Sequence, residues 1–379
     1  MSRVLLCARG GAPEIPAIVR ALRDRDAEVV VLDSSAFPDG APLSLSYGRG
    51  DLCACWAGVA TDDITAVWQC LVVGATLPTM APGMRETCVA AAELAVVGLL
   101  DSLHVFQLDP FAAKARADNK PHQLRVAQRL GLDIPETLIS NDPDAVRAFA
   151  RRHGALVMKM LAQPASTGPA TDEADVMFTT AMSPADLEHL DGLDLCPMIF
   201  QERIPNQRDV RVTIVGHRIF AAALDASARR DDAGEGDADE RIHDERIHDE
   251  RIAGPSSATP SSATPGSAPA PSSALAPSSA PAPVDLDWRR ESYALDRAPT
   301  WAPYQLPAEL TARLFALLDH FGLNYGAADF VVRPDGHHVF LELNASGAFA
   351  FLGPELTRAI ADAIADTLLD PAARRIPHV

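Results

Sequence analysis

The sequence predicts an α/β domain at the amino end, followed by an α+β region of helices and hairpin strands. Three features predict this class. Apolar residues make up 47% of the 379 residues, which is enough for two or three cores at roughly 150 residues per domain. Apolar runs alternate with helical spacing in the first third, as in βαβ units. Later apolar runs flank a short turn, as antiparallel strands do.

The first third begins with strand, helix and strand patterns, so a parallel sheet is expected there. Gly10 and Gly11 follow the first apolar run, but GxGxxG is absent, which favours a plain strand-to-helix turn over a dinucleotide loop. The expected elements are strands at 4–8 and 28–32 and helices at 15–22 and 84–100.

A second pattern begins near residue 118, where helices end at glycines or begin at Asp-Pro, as capping rules favour. The apolar positions of 307–321 recur with helical spacing, and Gly322 is expected to end that helix. The expected helices are 120–130, 142–154, 307–321 and 353–369; the expected strands include 156–160, 197–204 and 209–224; and 163–172 is expected to be a loop of small residues.

Residues 228–284 differ in composition from the rest of the chain. The acidic part holds ten Asp or Glu residues and three arginines over 231–252, and 253–284 are almost all Ala, Ser, Pro, Thr and Gly. Such a stretch cannot bury enough apolar area to offset the entropy of ordering it, so we expect a disordered insertion. His243 and His248 lie in the acidic part, and their five-residue spacing there does not favour a metal site.

Charge and cysteine usage narrow the class of protein. The net charge of −18 argues against general nucleic-acid binding, which needs clustered Lys and Arg. There is no run of 18 uninterrupted apolar residues, so no membrane span and no membrane partner are expected. The six cysteines form no CxxC pair, which favours reduced cysteines and a cytoplasmic location.

The most specific feature is a hairpin pattern late in the chain, where two apolar runs flank Asp335-Gly336. If the turn centres between those two residues, Asp329 lies opposite Glu342. Glu342 and Asn344 then share a strand face by the period of two. A three-residue loop, 334–336, would break this register, so the pairing depends on the turn.

Two carboxylates and an amide oxygen at one point suit a hard cation such as Mg²⁺, which completes its shell with phosphates and water. The alternative is an ordinary solvated strand face, where Glu and Asn are common. Other polar residues favour the metal site. Lys159 interrupts an apolar strand and must reach water or an anion. Together with the three predicted metal ligands, these polar residues have the composition of a nucleotide triphosphate site. The other members of this group are Lys120, Gln201, Glu202, Asp209 and Arg211. No P-loop motif is present, so the sequence is not that of a P-loop NTPase.

In this order the residues resemble the ATP-grasp ligases, from about residue 116 to 370 without the insertion. The resemblance implies a pre-ATP-grasp domain at 1–115, a central lobe at 116–200 and a carboxyl-terminal lobe at 201–379. It implies that ATP lies between the two lobes. The implied roles are phosphate contacts for Lys120 and Lys159, an adenine hinge at Gln201, Glu202 and Ile204, a ribose contact for Asp209, an anion contact for Arg211, and metal ligation by Asp329, Glu342 and Asn344.

The chain resembles more closely the microviridin-type branch, the graspetide synthetases, which macrocyclise ribosomal precursor peptides. The similar stretches include Glu342-Leu343-Asn344-Ala345-Ser346-Gly347, and the most telling one is Asp287-Trp288-Arg289. This resemblance implies an ADP-forming ligase that uses ATP and two Mg²⁺ ions. It implies a partner peptide with a leader and an acidic core, Arg289 as a second anion contact beside Arg211, and it allows a homodimer.

One departure and two alternatives remain. The branch often has arginines directly after a tryptophan in the first domain, but Trp68 is followed by Gln69 and Cys70, which puts a substrate role of that strand in doubt. One alternative is an ATP-grasp ligase that adds an amino acid to a small-molecule or protein carboxylate, as ribosomal-protein glutamate ligases do. The other is a non-catalytic binding protein, against which the intact Asp329, Glu342 and Asn344 argue.

Overall fold

The computed structural model describes residues 2–48, 53–70, 77–78, 80–161, 179–226 and 300–377. The predicted loop at 163–172, the insertion at 228–284 with its two histidines, and residues 287–289, which include Arg289, lie outside the described residues. No helix in the described ranges is long and apolar enough to cross a membrane.

The first unit contains a parallel sheet of four strands in the order β2-β1-β6-β7 and a small three-stranded antiparallel sheet. The predicted βαβ start is confirmed, since β1 pairs in parallel with β2. The elements are β1 (Arg3–Ala8), α1 (Ile15–Arg23), β2 (Glu28–Asp33), β3 (Leu43–Ser46), β4 (Cys53–Trp56), β5 (Val59–Ala60), β6 (Ala66–Cys70), α2 (Pro82–Ser102) and β7 (Phe106–Leu108).

The middle unit is an antiparallel sheet of four strands in the order β10-β9-β11-β8. Asn119 and Asp142 cap the helices that follow them, because each side chain accepts a hydrogen bond from a backbone N–H of the first turn. The elements are α3 (Phe111–Asp118), α4 (Lys120–Arg129), β8 (Thr137–Ser140), α5 (Pro143–His153), β9 (Leu156–Met160), β10 (Thr180–Ala181), α6 (Pro184–Glu188) and β11 (Met198–Glu202).

The last unit is an antiparallel sheet of five strands in the order β14-β13-β12-β15-β16. The helix predicted over 307–321 is confirmed, and its leucines pack against this sheet until Gly322 ends the helix with a φ of 73°. The elements are β12 (Arg208–Val215), β13 (Arg218–Asp225), β14 (Ala302–Pro303), α7 (Ala308–Phe321), β15 (Tyr325–Val332), β16 (His338–Asn344) and α8 (Pro354–Leu369).

The first and last units share a core. The apolar cluster under β1 and β6 also contains the buried face of α8, and α1 packs against α8. Arg25, just after α1, donates to Asp366 at 2.7 Å and to Asp362 at 3.1 Å on α8. These contacts hold the first unit against α8 of the last unit. The domain boundaries at 115/116 and 200/201 stay predictions, and the second falls inside β11.

Candidate active site

A cavity of about 240 Å³ lies between the middle sheet and the five-stranded sheet. It gathers side chains from α4, β9, β11, β12, β15 and β16, which are far apart in the sequence. Arg211 is not among the lining residues, and Arg289 lies outside the described residues. The predicted site residues that do line the cavity are Lys120, Lys159, Gln201, Glu202, Ile204, Asp209, Asp329, Glu342 and Asn344.

The hairpin of β15 and β16 brings the predicted metal ligands together by a different route from the one expected. The two-residue turn is wrong: Arg333 N–H donates to the carbonyl of His337 at 2.8 Å, which closes the three-residue loop 334–336. The pairing is nevertheless confirmed, because Phe330 lies opposite Phe340 and Asp329 lies opposite Glu342.

The extra residue between those two pairs is Leu341, which forms a β-bulge. The bulge absorbs the one-residue slip that the longer loop introduces. Phe340 and Leu343 can therefore stay in the core while Leu341 and Glu342 both line the cavity. A regular ladder from the same loop would put Leu341 opposite Asp329 and turn Glu342 to the core face.

The three oxygen-bearing side chains are in direct contact. The Asn344 amide Nδ2 donates to Asp329 Oδ2 and to Glu342 Oε1, both at 3.1 Å. The N–H groups of the Asn344 amide thus place partial positive charge between the two carboxylates. A metal cation bound by these carboxylates would occupy the same position. Two carboxylates and an amide on one strand pair are also the donor types that Mg²⁺ prefers, so the residues fit this metal.

Two cations neutralise these carboxylates. Lys120 Nζ lies 3.0 Å from Glu342 Oε2. Arg211 Nη1 donates to both oxygens of Asp329, at 2.8 and 2.7 Å, and its Nη2 donates to the carbonyl of Ala348 at 3.0 Å. The Arg211 and Asp329 side chains are only 4% and 8% exposed, so this ion pair lies in a largely water-free place. Arg211 therefore lies behind the metal ligands, next to the loop after β16.

The predicted hinge and ribose contact occupy the opposite part of the cavity. The Gln201 side chain is buried and donates to Thr137 Oγ1 at 2.9 Å, which holds β11 to β8. Glu202 Oε1 accepts from the backbone of Glu136 at 3.2 Å. Asp209 is 6% exposed, and Asn206 donates to its Oδ1 at 3.1 Å. These side chains fix the wall of the cavity, and their nucleotide contacts stay predictions.

Sequence reasoning missed the residues that hold β16 in place at the sheet edge. The buried Gln123 of α4 accepts from Leu343 N at 2.8 Å and donates to Leu343 O at 2.7 Å, as a neighbouring strand would. Asp118 Oδ1 accepts from Ala345 N at 3.1 Å, and burial raises the pKa of this carboxyl. A polar residue in a helix gives no signal for such a role, because the contact joins residues 220 positions apart.

Comparison with known proteins agrees with this geometry. The family described as the MvdD pre-ATP grasp domain matches residues 5–115. The macrocyclase MdnC of Microcystis aeruginosa MRC, solved bound with the precursor peptide MdnA, is similar over 97% of this chain and 99% of its own. It has 29% identity and a TM-score of 0.71. No curated protein matches the chain significantly.

Two further solved structures are similar over nearly their whole length. The macrocyclase MdnB of Microcystis aeruginosa MRC has 25% identity and a TM-score of 0.67 over 98% of this chain and 100% of its own. A RiPP-associated ATP-grasp ligase of Chryseobacterium gregarium, in complex with ADP and a leader and core peptide, has 24% identity and a TM-score of 0.73 over both full chains; at that identity it shows the fold alone. With the cavity described above, these likenesses identify the chain as an ATP-grasp ligase that resembles the microviridin-type graspetide synthetases.

Proposed function

We propose that this ligase uses ATP to close side-chain rings in a ribosomal precursor peptide. The observation that carries the proposal is the convergence of Asp329 and Glu342 on Asn344, whose Nδ2 lies 3.1 Å from an oxygen of each, in a cavity that Lys120 and Lys159 also line. Carboxylates for a metal beside lysines for phosphates are the requirements of phosphoryl transfer. The likeness to a peptide-bound macrocyclase supports the peptide as the substrate.

The reaction has two steps. A carboxylate oxygen of a substrate Asp or Glu side chain attacks the γ-phosphorus, the bond to the bridging oxygen breaks, and ADP leaves with that electron pair. A hydroxyl or amine of the same peptide then attacks the acyl carbon. Phosphate leaves, the attacking group loses its proton, and an ester or amide ring remains. No covalent enzyme intermediate is needed, because positioning and electrostatics carry both steps.

The described residues support distinct parts of this reaction. Lys120 and Lys159 would hold the phosphates, Asp209 the ribose, and the Gln201–Ile204 segment the adenine. Asp329, Glu342 and Asn344 would hold Mg²⁺, two ions in the proposal, which neutralises phosphate charge when bound.

Arg211 is proposed to stabilise the acyl-phosphate, and Arg289 with it. The contact that supports this role is made by Arg211, whose Nη2 donates to the carbonyl of Ala348 in the loop after β16. A peptide with a leader and an acidic core, a homodimer, the cytoplasmic location and the absence of nucleic acid among the partners are parts of the same proposal.

The decisive experiment compares the mass of the peptide before and after reaction. The enzyme, ATP and Mg²⁺ are incubated with the precursor peptide encoded beside it, and the nucleotide products are resolved. Ring closure removes one water per ring and forms one ADP. A mass gain would instead support addition of an amino acid, and formation of AMP would contradict both reactions.

A further inference from the structure

The loop after β16 connects the metal ligands to the first unit of the chain. This loop, residues 345–350, begins directly after Asn344 and leads into the 3₁₀ turn Ala350–Leu352. Side chains from four parts of the chain hold its backbone: Glu14, Asp118, Arg211 and Tyr325. One of them, Glu14, comes from the first unit, so the position of the loop depends on how the first and last units pack.

Glu14 holds the far end of the loop. It is the residue just before α1, but its side chain does not cap that helix. The carboxylate is 8% exposed, and its Oε1 instead accepts from the backbone N–H groups of Phe349 and Ala350, at 3.3 and 3.4 Å. Phe349 is itself buried in the core that the two units share. Without Glu14, these two N–H groups would need another acceptor in a largely buried place.

Tyr325 and Gly347 bring the middle of the loop close to Arg211. The buried Tyr325 hydroxyl donates to the carbonyl of Gly347. Burial raises the pKa of Tyr325, so the hydroxyl keeps its proton and remains a donor. A Cβ added to Gly347 would lie 2.6 Å from Arg211 Nη2 and 2.6 Å from the Cβ of Ala327. There is therefore no space for a side chain between the loop and the guanidinium.

Arg211 is held between this loop and the metal ligands. Its Nη2 donates to the carbonyl of Ala348 at 3.0 Å, and its Nη1 donates to both oxygens of Asp329. The guanidinium is planar and rigid, so fixing Nη2 on the loop also fixes the direction in which Nη1 points. A shift of the Ala348 carbonyl would therefore change how Arg211 faces Asp329.

We infer that Glu14 is a positioning residue for Arg211. It holds the N–H groups at the end of the loop and thereby fixes the Ala348 carbonyl that accepts from the guanidinium. Glu14 acts only through the loop in this role, so the first unit contributes to a site whose residues lie in the other two units. The catalytic part of the inference rests on the proposed function, whereas the position of Arg211 can be measured without a substrate.

The first test measures how fast phenylglyoxal, which modifies accessible guanidinium groups, reacts with Arg211. The full-length protein is treated without nucleotide or peptide, and mass spectrometry of its digest gives the rate at each arginine. Glu14→Ala should raise the rate at Arg211 about tenfold or more, which is the usual effect on a local equilibrium of losing hydrogen bonds to a charged group. Glu14→Gln should stay much closer to the wild type, because the amide oxygen can accept from the same N–H groups.

Two further variants identify the cause of any change. Arg25→Ala is the matched control, because Arg25 also joins the first unit to the last, through Asp362 and Asp366 on α8. It should leave the reactivity of Arg211 unchanged even if it lowers the melting temperature. Gly347→Ala displaces the same contact from the side of the loop, so it should expose Arg211 as Glu14→Ala does.

The second test asks whether a displaced Arg211 changes the reaction. ADP formation is followed with ATP, Mg²⁺ and the precursor peptide encoded beside the enzyme. Glu14→Ala should lower kcat about tenfold to a hundredfold, the scale of a small misplacement at a distance from the chemistry, and leave KM for ATP nearly unchanged. In the Arg211→Ala background the same change should lower kcat no further, because residues that act through one another are not additive. Glu14→Gln should keep most of the wild-type rate.

Each other outcome has a definite meaning. Wild-type reactivity of Arg211 in folded Glu14→Ala would overturn the inference, as would an additive loss of kcat in the double variant. Equal exposure of Arg211 in Arg25→Ala would also overturn it, because a loosened interface would then be the cause. If Glu14→Ala does not fold, Glu14→Asp takes its place, since it keeps the charge and loses reach. If the wild-type enzyme forms no ADP with the peptide, the proposed function fails, and the first test still decides whether Glu14 positions Arg211.

Discussion

Replacing Arg211 by alanine tests the electrostatic design of the site, because the guanidinium and the Asp329 carboxylate form a buried pair. The side chains are 4% and 8% exposed, and the nearest nitrogen and oxygen are 2.7 Å apart. Removing one partner of such a pair leaves an uncompensated buried charge, which costs about 3–5 kcal/mol. For a domain of about 150–250 residues, each kcal/mol lowers the melting temperature by about 2–4 °C, so on that scale a fall of about 6–20 °C is expected.

Mg²⁺ should recover part of that loss. Without Arg211, the negative charge of Asp329 is free to attract a cation beside Glu342, whereas in the wild type Arg211 already neutralises it. Ligand binding to the folded state stabilises it by about 2.7 kcal/mol when the free ligand is 100 times its dissociation constant. The melting temperature of Arg211→Ala should therefore rise with Mg²⁺ in the absence of ATP, and rise more than that of the wild type.

The measurement is thermal unfolding with and without Mg²⁺. Arg208→Ala is the matched control, since Arg208 lies on the same strand and pairs with Asp225 at 2.6 Å, but the two side chains are 44% and 55% exposed. An exposed pair is worth about 0–1 kcal/mol, so this variant should melt near the wild type and show no extra Mg²⁺ effect. The reasoning is refuted if Arg211→Ala melts like the wild type, or if Mg²⁺ raises both variants equally.

Three further predictions follow from the hairpin and the insertion. Glu342→Ala and Asn344→Ala should keep the fold but lose Mg²⁺-dependent ADP release, and wild-type rates in both would contradict the metal assignment. Deleting Leu341 removes the bulge residue and leaves Glu342 opposite Asp329, so the Mg²⁺ dependence of ADP release should survive. Deleting Leu343 should instead turn Asn344 toward the core face and abolish that dependence. Loss of the dependence in a folded Leu341 deletion would show that the bulge itself is required. Replacing 230–283 by a short Gly-Ser linker should leave the melting temperature nearly unchanged, because loop-closure entropy grows slowly with length, and a large fall would show that this tract packs.

The hairpin shows what a sequence can and cannot predict. The period of two placed Glu342 and Asn344 on one face and Asp329 opposite, and that arrangement is confirmed. The predicted two-residue turn is wrong, and the bulge at Leu341 compensates for the longer loop. An apolar residue in an apolar strand looks the same whether it continues the ladder or forms a bulge, so the sequence carries no local signal for the difference.

Contacts between distant segments, such as those of Glu14 and Lys114, could not be predicted for a different reason. Glu14 meets Phe349 across 335 positions of chain, and the buried Lys114, which donates to the Gln69 carbonyl, looks in its helix like any surface lysine. Such pairs are decided by how α1 and α3 pack on the last unit, and a single sequence does not contain that information. The nucleotide-site residues can be predicted from the sequence because their types and order resemble a known family.

The charges around the metal ligands also suggest why metal and nucleotide should bind together. Asp329 and Glu342 carry two negative charges, and Arg211 and Lys120 carry two positive ones. A lone Mg²⁺ entering this balanced set would face both cations at close range, which opposes its binding. A magnesium–nucleotide complex brings phosphates as well, so Lys120 can exchange Glu342 for a phosphate oxygen while the metal takes the carboxylate, and the local charge stays low. Because coupling between two ligands is reciprocal, the phosphates must favour the metal as much as the metal favours the phosphates.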